Sequence, residues 1–234
     1  MIDPAHHPGV FQALDRFRAF YAELDLVIAS VRGGTWLTEA VAGDAAGDAA
    51  LGGARLTAQR AQQAVTRHAG LPGPRLPDGG APVEMGYVLA ALADEIFLHE
   101  LDWPGRIHWD GVLLEERLYG TRIAGERLFD LARMLVDGRA AGQDDLVVAL
   151  MQALALGFRG RYRGGNDRGE IHRLRRQLYQ LALHRPAPSE IDWGEALPHS
   201  EALEGGVLAR VPALNPWIYA TIAAPAFGTS HSRR

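Results

Sequence analysis

The sequence predicts an all-α fold, and three observations carry that prediction. Apolar residues recur at steps of three and four along nearly every segment. No stretch of useful length alternates apolar with polar residues as a half-buried strand would. Glycine, proline and aspartate fall at intervals that cut the chain into pieces of helix length. Together they give a bundle of about seven to eight helices with no internal repeat.

The first helix opens after Pro8 and carries Phe11, Leu14, Phe17, Tyr21, Leu24, Ile28 and Val31 on one stripe. At about 1.5 Å per residue it is roughly 35 Å long. Gly33 and Gly34 end it, and Ala40 to Gly53, poor in bulky residues, is expected as a mobile connection. A polar helix follows over Leu56 to His68. Leu71 to Pro82 holds four prolines and three glycines, which makes it a loop.

Val83 to Leu101 is expected as the next helix. Trp109 to Tyr119 and Gly125 to Val136 read as two short helices separated by Gly120 and Thr121, the second closed by Asp137 and Gly138. Asp144 and Asp145 suit the start of a helix over Leu146 to Phe158, whose apolar residues cover most of its circumference. A helix apolar all round belongs at the centre of a bundle. The last helix sets Ile171, Leu174, Leu178 and Leu181 on a narrow stripe, with Arg173, Arg175 and Arg176 on its other face.

Composition narrows the function. A chain of 234 residues with 47% apolar content can bury a sizeable core, as one large domain or two small lobes. Its formal charge of −4 argues against a dedicated nucleic-acid binder, because steering onto nucleic acid needs a positive excess. The absence of cysteine removes disulfides, thiolate zinc sites and thiol nucleophiles together. The start, MIDPAHHPGV, lacks the charged and apolar regions of a secretory signal, so a cytosolic protein is expected. All 24 basic residues are arginine, and a Walker A loop needs a lysine for the β and γ phosphates.

Two stretches concentrate the chemistry. GFRGRYRGGNDRGEIHRLRRQLYQ, from Gly157, has seven arginines and five glycines whose spacing does not match G-x-G-x-x-G. It joins a buried helix to an amphipathic one. Gly157 and Gly160 suit a helix end or a close backbone approach, and Gly164 and Gly165 suit a turn. The alternative is a nucleic-acid arm over residues 159–176, with Phe158 and Tyr162 stacking on bases between the arginines.

In YVLAALADEIFLHELDW, Asp94 falls in the apolar stripe of Tyr87, Ala90, Phe97 and Leu101, and Glu95 about 100° round, between Val88, Leu92 and His99. An unpaired buried carboxylate costs several kcal/mol, so each must meet a cation or face a cleft. Arg159, Arg161 and Arg163 are the expected cations. Enzymatic readings find little here. Glu95 and His99 are spaced to share a metal, but a carboxylate-bridged di-iron bundle needs Glu-x-x-His on two helices, and no histidine has a glutamate three residues before it. Hydrolytic carboxylate pairs face each other across a cleft, and no serine lies in G-x-S-x-G. No catalytic residue, metal site or cofactor is expected.

The order ADEIFLHELDW, LYGTRIAGERLF, DDLVVALMQALALGFRGRYRGG and HRLRRQLYQLA resembles the DotU/TssL family of type VI and type IVb secretion systems. The motif residues are Asp94 and Glu95 with Trp103; Gly120, Gly125, Glu126 and Phe129; and Leu156, Gly157, Phe158, Gly160, Arg161 and Tyr162. The resemblance covers about residues 9–185. It implies a non-enzymatic, all-helical cytoplasmic domain of two small bundles packed as a hook with a cleft, and it associates the acidic pair Asp94 and Glu95 with that cleft and partner contact, leaving open which of the two holds the fold and which touches the partner. The implied partners are an IcmF/TssM-type inner-membrane protein and TssK- and TssE-type baseplate components, with self-association possible and no nucleic acid. Arg159 fills the variable position of the structural Gly-Phe-x-Gly-Arg-Tyr motif, and Arg163 follows it.

The family's usual anchor is one C-terminal membrane helix. Residues 1–185 are expected as the helical domain and residues 186–234 as a proline-rich tail, whose most apolar segment, VPALNPWIYATIAAPAFG, holds three prolines. A spanning helix needs about 20 mostly apolar residues with unbroken backbone hydrogen bonds, so the anchor is expected to be missing and attachment to run through partners. Trp217, Ile218, Tyr219 and Ile222 offer at most a short interfacial or partner-docking helix.

Overall fold

The structure is a computed structural model that describes residues 8–35, 49–69, 84–138, 143–165 and 167–183. The described residues are all-α: α1 (Pro8–Arg32), α2 (Ala49–His68), α3 (Met85–Glu95) running into a π turn (Ile96–Glu100), a single turn α4 (Arg106–Trp109), α5 (Leu114–Tyr119), α6 (Ala124–Val136), α7 (Asp144–Ala155), a 3₁₀ turn (Gly160–Tyr162) and α8 (Glu170–Leu183). No strand occurs among them.

Two helices make the middle of the bundle. Every residue of α3 is buried, and α7 buries all but its two leading aspartates and Met151. They pack on each other; α3 also touches α2, α5 and α6, and α7 touches α1, α6 and α8. Around them α1 contributes Leu14, Phe17, Phe20, Leu24 and Ile28, and α2 an alanine stripe at 54, 58, 61 and 64 that lets it lie close against α1. The buried apolar residues form one continuous core from Val10 to Ala182.

Several boundaries differ from the sequence reading. α2 begins at Ala49, so the last part of the expected connection Ala40 to Gly53 is helical. Trp109 to Tyr119 is not one helix: it breaks over residues 110–113 between α4 and α5, for reasons that lie in Asp94. The helix from residue 83 starts at Met85 and changes pitch at Ile96, where Leu101 N–H bonds the Ile96 carbonyl at 3.0 Å, five residues back. α7 stops at Ala155 because Gly157, at φ 98°, closes it: Phe158 N–H reaches the Ala153 carbonyl at 3.0 Å and Gly157 N–H the Leu154 carbonyl at 3.4 Å. The loop over residues 71–82 and the tail over 186–234 lie outside the described residues, as do most of the residues of the expected connection. Among the described residues, no helix is long and apolar enough to cross a membrane.

Candidate functional site

Three helical segments begin without help from their own first residues. The positions just before α5, α6 and the 3₁₀ turn are Leu113, Ile123 and Arg159, and none provides a side-chain cap. A helix start leaves backbone N–H groups unsatisfied, and burying them unpaired is costly. Each of these starts is capped instead by a buried carboxylate from elsewhere in the chain.

Asp94, 6% exposed, caps α5. Its Oδ1 accepts from Leu114 N–H and from Trp109 Nε1, and its Oδ2 from Glu115 N–H, all at 2.9 Å. Burial pushes its carboxyl up to about 6, against the pull of those donors. Every group facing Asp94 in these bonds is a donor, so they offset part of the cost of burying its charge. Trp109, wholly buried, stacks on Phe97 at 4.4 Å between ring centroids, with Trp103 edge-on to both. This fixes α4 beneath α3 and forces the chain to break before α5.

Glu115, 6% exposed, caps α6. Its Oε1 accepts from Ile123 N–H at 2.8 Å, Ala124 N–H at 3.0 Å, Thr121 Oγ1 at 2.7 Å and Tyr87 Oη at 2.9 Å. Burial first, and then the Glu115 charge, hold the Tyr87 phenol above its usual range. Glu95, 7% exposed, caps the 3₁₀ turn: its Oε1 accepts from Arg159 N–H at 2.7 Å, from Gly160 N–H at 3.3 Å and from the Arg163 guanidinium. Arg163 also reaches Glu100 at 3.5 Å.

The expected pairing with arginines is therefore divided. Glu95 pairs with Arg163, whereas Asp94 bonds to Trp109 and to the start of α5 and to none of the three arginines. Arg161 turns away to Asp130 at 3.1 Å and lies over the Phe129 ring at 5.1 Å; the Arg159 side chain is exposed. A double-mutant cycle between Glu95 and Arg163 is expected to give a coupling of about 1 kcal/mol, because Arg163 stays partly solvated. The same cycle between Asp94 and Arg163 is expected to give none, and measured coupling there would contradict the geometry.

Phe158, Gly160, Arg161 and Tyr162 of the Gly-Phe-x-Gly-Arg-Tyr motif all contact residues of α6. Phe158 and Tyr162 pack on Phe129, at 6.1 Å and 4.8 Å between centroids. Gly160 abuts Gly125, so two motif segments meet backbone to backbone. Phe158 is 2% exposed, and Arg161, Arg163 and Arg173 are paired with acids, so one of the two aromatics and three of the seven arginines that a nucleic-acid arm would use are engaged within the fold. His99 lies exposed on the π turn; lost solvent first, then the Arg163 charge, hold its ring below the usual range. Among the described residues no three histidine, aspartate or glutamate side chains gather to hold a metal.

Sequence reasoning missed Glu115. Within the expected helix Trp109 to Tyr119, nothing local separates Glu115 from a solvated surface acid such as its neighbour Glu116. The signal that finds it is the mismatch between helix starts lacking a Ser, Thr, Asp or Asn and apolar segments carrying an unexplained acid.

No curated protein and no solved structure matches the chain. The family described as type VI secretion system protein DotU matches residues 82–230, well over half of the sequence. The match takes in α3 through α8, with Asp94, Glu95, Glu115 and the Gly-Phe-x-Gly-Arg-Tyr turn, and it runs on into the proline-rich segment beyond residue 185, where the sequence resemblance had stopped. The chain belongs to the DotU family of type VI secretion system proteins.

Proposed function

We propose that this protein is a non-enzymatic structural subunit of a type VI secretion membrane complex, held at the cytoplasmic face of the inner membrane through its partners. In this reading it binds an IcmF/TssM-type inner-membrane protein and docks the baseplate through TssK- and TssE-type components. Asp94 shapes the docking cleft from within, and Glu95 stands at its edge with Arg163 and Glu100. The observation that supports the reading is where the family's motif chemistry goes: the acidic pair is spent on capping helix starts and joining motif segments.

Titration calorimetry against the TssK-type adaptor of the same system tests this. Wild type is expected to bind saturably. Glu95→Gln keeps an oxygen for the Arg159 and Gly160 N–H groups while removing the charge opposite Arg163, and is expected to bind about fivefold to tenfold more weakly with little change in melting temperature. Absence of wild-type binding to the adaptor and to the IcmF/TssM-type protein alike would contradict the docking role and leave family membership as a statement of fold.

A further inference from the structure

We propose that the groove between α2 and α5 is a binding site for an extended, carboxylate-bearing segment of polypeptide. The groove holds about 630 Å³ and is lined by Gln59, Gln62, Gln63, Thr66 and Arg67 of α2 and by Arg117 of α5. None of these side chains takes part in the capping by Asp94, Glu95 and Glu115, and the site does not depend on the docking role proposed above.

The polar groups of the groove are not spent within the fold. Among the described residues, the side-chain amides of Gln59, Gln62 and Gln63 make no hydrogen bond, and no acid pairs with Arg117. Arg67 is engaged, but its acid has a second partner: Glu23 accepts from His68 Nε2 at 3.0 Å as well as from the Arg67 guanidinium. Arg67 can therefore turn to another carboxylate without leaving Glu23 alone. Two arginines and no acid line the groove among the described residues, so it complements negative charge.

The spacing selects an extended chain. Gln59, Gln63 and Arg67 follow one another at four-residue steps, about 6 Å apart along α2. An extended polypeptide repeats the N–H and C=O groups of one edge every second residue, about 6.6 Å apart. A glutamine amide carries both an acceptor and donors, so Gln59 and Gln63 can each accept from the N–H and donate to the C=O of one such residue. An acidic side chain further along then comes within reach of Arg67 and Arg117. Backbone contacts of this kind supply the affinity, and the arginines select the charge.

Other occupants fit worse. Small-molecule pockets are mostly apolar and enclose their ligand, whereas Gln59, Gln63, Thr66, Arg67 and Arg117 are all exposed. Single-stranded nucleic acid needs aromatic rings to stack on, and an anionic membrane needs a larger basic cluster; among the described residues the lining has neither.

The test is fluorescence anisotropy on the full chain with two labelled heptapeptide pools, alike except that one position holds glutamate in the first and glutamine in the second. The glutamate pool is expected to bind saturably, about fivefold or more tighter than the glutamine pool. Arg117→Glu is expected to weaken that binding about tenfold, and Gln59→Ala/Gln63→Ala about fivefold. Both variants change solvent-facing positions and should leave the melting temperature unchanged. Methylating the backbone nitrogens of the glutamate pool should abolish binding. A glutamate pool that fails to bind up to about 1 mM, or that binds both variants or in its methylated form as well as it binds wild type, overturns the proposal. A labelled oligothymidylate or anionic vesicles that bind more tightly than the peptides, with the same loss in Arg117→Glu, reassign the groove and overturn it as well.

Discussion

Replacing Asp94 with alanine is expected to destabilise the fold by about 3 kcal/mol, the net of two opposed effects. Three buried donors lose their acceptor, at about 1–3 kcal/mol each. Against this, the variant no longer buries a carboxylate whose ionisation the site disfavours. For a domain of this size a loss of 3 kcal/mol lowers the melting temperature by roughly 6–12 °C. The same variant carries a pH signature. Between about pH 4 and pH 6 the native carboxyl, pushed up to about 6, holds a proton that the unfolded chain has already released. The contribution of this group to stability therefore falls as pH rises through that window and is flat above it. Denaturant titrations at several pH values should show the gap between wild type and variant narrowing from pH 4 to pH 6.

Gly160→Ala is expected to cost about as much, for a steric reason. A Cβ there would lie 2.4 Å from the Gly125 carbonyl oxygen and 2.8 Å from its Cα, both backbone atoms in the first turn of α6. Gly160 also sits at φ +43°, which costs a residue with a side chain about 1–2 kcal/mol by itself. Gly164 separates the two effects: its φ is +79° but nothing lies within 4 Å of a Cβ built on it. Gly164→Ala is expected to lose about 1 kcal/mol and Gly160→Ala about 3 kcal/mol or more. Equal losses in thermal melts would mean that the approach to Gly125 carries no weight.

The parts of this fold that follow a local rule were legible in the sequence. The three-and-four stripe of α1 and the all-round apolar α7 each depend on neighbours within a few residues, although the expected end of α7 overran Gly157 to Phe158. The carboxylates were half legible. Asp94 and Glu95 stood out because charge on an apolar face needs a partner, but charge alone suggested arginines as the answer. Backbone N–H groups at helix starts satisfy a carboxylate as well, and they leave no side-chain letter in the sequence. The break between α4 and α5 was hidden for the same reason, since it is imposed by Asp94, twenty residues away from Leu114. The π turn at Ile96 likewise follows from tertiary packing, with Phe97 under both tryptophans, rather than from any residue in IFLHE.

Central to this account is that buried carboxylates hold the motif segments together by capping helix starts, and amide hydrogen exchange tests it at single residues. In wild type, Leu114 and Glu115 N–H are expected to exchange slowly despite lying in the first turn of a short helix. In Asp94→Ala both should exchange at least tenfold faster under conditions where the α7 amides keep their protection. Unchanged protection at Leu114 and Glu115 in the folded variant would contradict the account.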